Sequence, residues 1–253
     1  MNNAYLTLIP ILFPIIAGFA LFSRPIFEDR HIYVGVMTFL TAGMTFAAVC
    51  LTGSELIVLW RVTPSLSIAF RFDYPARAFA CLVSFIWPLV TLYAFEYLRR
   101  RPPVDRFYCF FLATFGILIG VACAANLLTL YLFYELMTLT TLPLVMHEMD
   151  GRARYAGRKY LVYSVGGAAC AFIALTYTMS QGGGEFFRLG GTLGVWPNEP
   201  DNMLLTAWFL GFLGFGVKAA VFPFHGTLLR LISSLIYKRL FISDQVRSDA
   251  DSV

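Results

Sequence analysis

Two ionisable residues fall inside stretches that otherwise carry no charge. Glu135 stands near the middle of the apolar run 127–146, and Lys218 lies in the run 203–224, after Gly211, Gly214 and Gly216. A charge at the centre of a bilayer costs about 2.5–3.5 kcal/mol on insertion scales, so neither is expected to face lipid. A carboxyl group and an amine held away from water can trade a proton when one of them moves. The chemistry suggested is a proton or ion relay. The plainer alternatives are a structural ion pair, or a Lys218 whose stem snorkels to the interface.

The surroundings of Lys218 add to that reading. Gly214-Phe215-Gly216 precedes it and Pro223 follows. Proline removes a backbone donor and clashes with the preceding turn, so Gly216 and Pro223 predict a broken helix around the lysine. Transport proteins use such breaks to expose polar backbone beside an ion path. His225 is a candidate third, switchable member, against the alternative of an ordinary interfacial histidine. Lys159 opens another apolar run and reads either as a relay residue or as a basic flank. His147-Glu148 is not a metal site, because no second histidine falls three or four residues away. Cys50, Cys81, Cys109, Cys123 and Cys170 form no C-x-x-C and read as small hydrophobes, with neither disulfide nor zinc expected. No dinucleotide, Walker or iron–sulfur motif is present, so no cofactor is expected.

The elements that must position these residues follow from composition. Of 253 residues, 58% are hydrophobic and only 13% charged, which excludes a disordered chain, a coiled coil and an ordinary soluble enzyme. Residues 78–95 and 160–184 carry no charge at all. The pattern predicts an all-α integral membrane protein with about seven transmembrane helices, near 4–22, 33–51, 76–97, 107–124, 127–146, 159–179 and 203–224. Residues 1–54 hold the first two, 55–74 an extramembrane β-hairpin broken at Thr63-Pro64, and 75–226 the remaining five. The glycine- and proline-rich stretch 182–202 reads as a loop. Residues 227–253 read as a short eighth span or a basic amphipathic helix on the membrane surface, with a frayed end.

Loops after the first, third and fifth spans carry ten Lys and Arg, against three or four in the opposite loops. This places the N-terminus outside. No Lys or Arg precedes Arg24, so the first span is expected to stay uncleaved. The net charge of +4 carries no nucleic-acid signal.

Four fragments, in order, resemble the antiporter-like membrane subunits: proton-pumping subunits of NADH:quinone oxidoreductase (respiratory complex I), of membrane-bound hydrogenases and of Mrp Na+/H+ antiporters. Phe72-Asp73-Tyr74-Pro75-Ala76-Arg77-Ala78 resembles the start of their third span. Asn126-Leu127-Leu128-Thr129-Leu130-Tyr131-Leu132-Phe133-Tyr134-Glu135-Leu136-Met137 resembles their fifth-span signature. Ala156-Gly157-Arg158-Lys159-Tyr160-Leu161 resembles the start of their sixth span. Gly216-Val217-Lys218-Ala219-Ala220-Val221-Phe222-Pro223-Phe224-His225-Gly226 resembles their seventh-span motif.

The resemblance implies that Glu135 pairs with Lys218 as a half-channel relay, and that Lys159 matches a lysine found in some members. It implies translocation of protons or Na+, partnership with other membrane subunits, and residence in a bacterial plasma membrane rather than a mitochondrial one. It implies one component of a redox-driven or antiporter complex, with no redox site of its own. It ends near Gly226, where the family continues with Trp-Leu-Pro-Asp-Ala and this chain has Thr227-Leu228-Leu229-Arg230. The expectation is therefore the N-terminal half of such a subunit. The alternative is a short paralogue or truncated product with a structural or assembly role and no transport. A membrane enzyme acting on a lipid or quinone is disfavoured, because no nucleophile–base set falls within the spans.

Overall fold

The computed structural model describes residues 6–23, 30–63, 66–98, 104–147, 149–181, 185–188 and 202–219. In chain order these form α1 (Ile9–Ser23), α2 (Arg30–Leu51), β1 (Ile57–Thr63), β2 (Leu66–Phe70), α3 (Tyr74–Leu98), α4 (Asp105–Ala122), α5 (Leu127–Val145), α6 (Gly151–Ser180) and α7 (Asn202–Gly216). The helices α2 to α6 are long and apolar enough to cross a membrane. The expectation of seven spans is met in part. Helices α1 and α7 have 15 residues each, or about 22 Å at 1.5 Å per residue against about 30 Å of hydrocarbon. Pro223, His225 and the tail from Thr227 lie outside the described residues.

Helix α6 starts at Gly151, earlier than the apolar run suggests. The Asp150 carboxylate accepts from the Ala153 amide at 2.6 Å and caps the first turn. Arg154 and Arg158, expected in a loop, therefore ride on the opening turns of this helix, ahead of Lys159. Met149, just before the cap, takes a left-handed φ of 53° to turn the chain out of α5.

Helix α4 is the innermost. Tyr108, Cys109, Leu112, Ala113, Phe115 and Ile119 on it are fully buried. Its partner α1 approaches closely because glycines face backbone: a Cβ at Gly116 would overlap the Ile11 carbonyl oxygen, and one at Gly18 the Cys109 carbonyl oxygen. Small residues at such crossings are how membrane helices gain contact without a hydrophobic driving force. Outward faces stay apolar, with Phe79, Leu82, Phe85 and Leu89 of α3 exposed. That pattern suits lipid and not water.

The hairpin forms where the sequence places it. Strands β1 and β2 are antiparallel, with Ile57 opposite Phe70 and Thr63 opposite Leu66. Strand β2 is locked onto the turn between α4 and α5. The Ala125 amide donates to the Ala69 carbonyl (2.9 Å) and the Arg71 amide to the Cys123 carbonyl (2.8 Å). The Ala69 amide donates to Thr129 Oγ1 (2.9 Å). Asn126, 1% exposed, caps α5 by accepting from the Thr129 amide (2.8 Å) and ties back to the Ser67 carbonyl (2.7 Å). The start of the Glu135 helix is thereby fixed to the sheet.

Candidate functional site

The site is built where α5, α6 and the end of α7 meet. Helices α6 and α7 cross through small residues. A Cβ at Gly214 would stand 2.6 Å from both the Ala171 nitrogen and the Gly167 oxygen, so only glycine lets the two backbones approach this far. Helix α7 ends at Gly216 and residues 217–219 form a turn, the Val217 amide still donating to the Leu213 carbonyl at 3.1 Å. The last carbonyls of a helix have no partner within it. Here the Tyr134 hydroxyl of α5 supplies one, donating to the Gly214 carbonyl at 2.8 Å. The Phe215 ring meets the Tyr134 ring edge-on, with centroids 5.4 Å apart.

This arrangement puts Lys218 just past a helix C-terminus, the end that favours a cation. Its Nζ donates to Thr138 Oγ1 at 2.7 Å and to Tyr160 Oη at 2.9 Å. The same nitrogen lies 5.2 Å from the Tyr134 ring centroid, close enough for that ring to attract it. Tyr160 Oη is 2.6 Å from Thr141 Oγ1. Thr141 already donates to the Met137 carbonyl (2.6 Å). A hydroxyl has one proton, so Tyr160 donates to Thr141 and accepts from Lys218. A directed chain thus runs from the ammonium through two hydroxyls to a backbone carbonyl of α5.

Glu135 sits one turn before Thr138 on α5. Its Oε1 is enclosed and has no hydrogen-bond partner, while the residue as a whole is half-buried. Lys218 is also half-buried. Among the described residues no Asp, Glu, Lys or Arg is fully buried. The two residues expected as a deep pair are therefore both half-buried, at a helix seam. Lys218 is bonded to hydroxyls instead of to Glu135.

The other sequence candidates fall elsewhere. Lys159 points its ammonium over the Tyr163 ring, 5.6 Å from the centroid, and is not bonded into the Lys218 group. Adjacent residues on a helix do not share a face. Gly216 is the last residue of α7; Pro223 and His225 are not among the described residues. His147 packs its ring against Phe107 at 5.3 Å. Sequence reasoning missed Tyr134, Thr138, Tyr160 and Thr141. A cluster of Thr138, Thr140 and Thr141 just after a glutamate, in a run otherwise apolar, was the available signal.

Residues 124–229 match the family described as NADH:quinone oxidoreductase/Mrp antiporter, TM. The chain is 31% identical over 168 residues to a probable K(+)/H(+) antiporter subunit of Rhizobium meliloti (strain 1021), covering 66% of this chain and 17% of that protein. It is 29% identical over 228 residues to an Na(+)/H(+) antiporter subunit of Alkalihalophilus pseudofirmus, covering 87% of this chain and 28% of that one. A chain of respiratory complex I from Thermus thermophilus shares the fold with a TM-score of 0.71 at 20% identity, covering 89% of this chain and 46% of its own. A chain of the archaeal membrane-bound sulfane sulfur reductase does so at 0.68 and 18% identity, with the same coverage. The chain thus spans less than a third of these two curated relatives. The matched segment contains both Glu135 and Lys218, and over it the chain is similar to the membrane subunits of NADH:quinone oxidoreductases and Mrp antiporters.

Proposed function

We propose that this chain carries the first relay of a proton- or cation-translocating membrane subunit, with Glu135 and Lys218 as the groups that exchange charge. The observation that carries this is the position of the Lys218 ammonium. It is held by hydroxyls between α5 and α6, one turn from a carboxylate oxygen that has no partner. A cation held by neutral hydroxyls beside an uncommitted carboxylate can be moved by a small change in either. The helix end at Gly216 leaves Lys218 free of a regular helix face, and the proposed break runs on to Pro223. Lys159, and His225 beyond the described residues, are further proposed members of the path. The relatives belong to antiporters and respiratory complexes. On that basis the chain works with other membrane subunits in a bacterial plasma membrane, N-terminus outside, moving H+ in exchange for Na+ or K+.

The test uses everted vesicles containing the chain in its native membrane. A pH gradient is set up by respiration, and its collapse on adding Na+ or K+ is followed with a fluorescent dye. Glu135→Gln and Lys218→Ala are each expected to reduce the cation-dependent signal to background while the protein still inserts. Wild-type transport by both variants would refute the relay. An inserted wild-type chain that leaves the signal unchanged would favour the structural or assembly role.

A further inference from the structure

We propose that Tyr160, together with Thr138, is a positioning residue that gives Lys218 a second seat, separate from Glu135, so that the ammonium alternates between a hydroxyl seat and a carboxylate seat on one face of α5. This rests on the relay reading of Glu135 and Lys218.

The two seats share a face because residues 135 and 138 are three apart, and they are displaced by about 4.5 Å of helix rise. A lysine stem with four rotatable carbons spans that distance without moving the backbone. The hydroxyl seat offers two oxygen acceptors and the Tyr134 ring around one nitrogen. The carboxylate, ordinarily the stronger partner for an ammonium, is the acceptor Lys218 is not bonded to. The seat is oriented from behind. Thr141 commits its own proton to the Met137 carbonyl and so takes the Tyr160 proton, which turns a Tyr160 lone pair toward Lys218. Tyr160 is the member contributed by α6, so movement of α6 against α5 opens or closes this seat while Glu135 and Thr138 stay fixed on α5.

The test reads where the amine is, independently of transport. Vesicles containing the full chain are treated with a lipid-soluble carbodiimide, which condenses a carboxyl with an amine in contact. The water lost converts the reagent to a urea, and the Glu135–Lys218 amide is measured by mass spectrometry of linked peptides. Tyr160→Phe keeps the ring and removes the acceptor, and the amide yield is expected to rise several-fold over wild type. Thr138→Val, of equal size, is expected to do the same, and it carries the test if Tyr160→Phe does not accumulate. Equal yields in wild type and both variants, zero included, would overturn the proposal. The dye assay on the same vesicles separates the two readings. Raised yields with a wild type that moves no cation sustain the seat and defeat the relay. Flat yields with transport lost in Glu135→Gln sustain the relay and defeat the seat.

Discussion

The α1–α4 end and the α5–α7 end of the molecule use the same hydroxyl-bearing residues in opposite ways. On α2, Thr38, Thr41 and Thr45 line one face, with Thr52 just past its end, and all are almost fully buried. Each hydroxyl donates to the carbonyl four residues back, at 2.6–2.8 Å. Among the described residues no other helix donates to them. On α5, Thr138 and Thr141 make the same backward bonds, but their lone pairs also receive Lys218 and Tyr160. Arg77 and Glu135 differ in the same way. Arg77, at the hairpin end, is taken up by three carbonyls, those of Phe72, Val49 and Thr52. Glu135 Oε1 is taken up by nothing. The threonines of α2 and Arg77 use their polar capacity within the first end, which serves as a scaffold, although Arg71 Nε, Ser84 Oγ, Trp87 Nε1 and Asp105 Oδ1 there also lack a partner. What sets the second end apart is that an unpartnered glutamate oxygen lies one helical turn from hydroxyls that hold an ammonium.

The comparison breaks most severely if the scaffold is wedged apart. Gly116→Leu forces a side chain into the Ile11 backbone, at a cost of about 3 kcal/mol. Thermal melting in detergent should show a large fall in Tm, with transport lost as a consequence. Gly43→Ala, where nothing lies within 4 Å of the added carbon, should melt like wild type. The junction between the ends comes next. Asn126→Ala removes the α5 cap and the tie to Ser67, for about 1–2 kcal/mol. Hydrogen exchange should quicken in residues 66–70 before it does in α1 or α4; uniform quickening would mean the hairpin is not held by this cap. The smallest effect sharpens the contrast. Thr41→Val removes a hydroxyl that bonds only its own helix, and should cost about 0.6 kcal/mol or less by Tm. A larger loss would show that the α2 hydroxyls serve a partner after all.

Much of this was legible in the sequence. The charge-free runs located α2 to α6, and the Thr63-Pro64 break located the hairpin, because burial in lipid demands long apolar segments whatever their partners. Glu135 and Lys218 were legible for the converse reason: a charge in such a run is strongly disfavoured unless something holds it. Three features were not. The start of α6 depended on a single cap, Asp150, which hydropathy does not weigh. The crossings at Gly116 and Gly214 depend on which helices are neighbours, and spacing within one helix cannot tell that. The seat of Lys218 depends on Tyr134 and Tyr160. In a chain with 17% aromatic residues these look like any other ring until the third dimension brings their hydroxyls to an amine.

The measurement that tests the account most directly is cation-driven collapse of a pH gradient in vesicles carrying Thr138→Val beside vesicles carrying Thr41→Val. Both changes delete one hydroxyl that donates four residues back along its own helix, and only one of those hydroxyls also accepts from Lys218. The account predicts a clear loss of transport at Thr138 and none at Thr41, with both proteins inserted equally. Equal transport by the two, or loss at Thr41 alone, would contradict it.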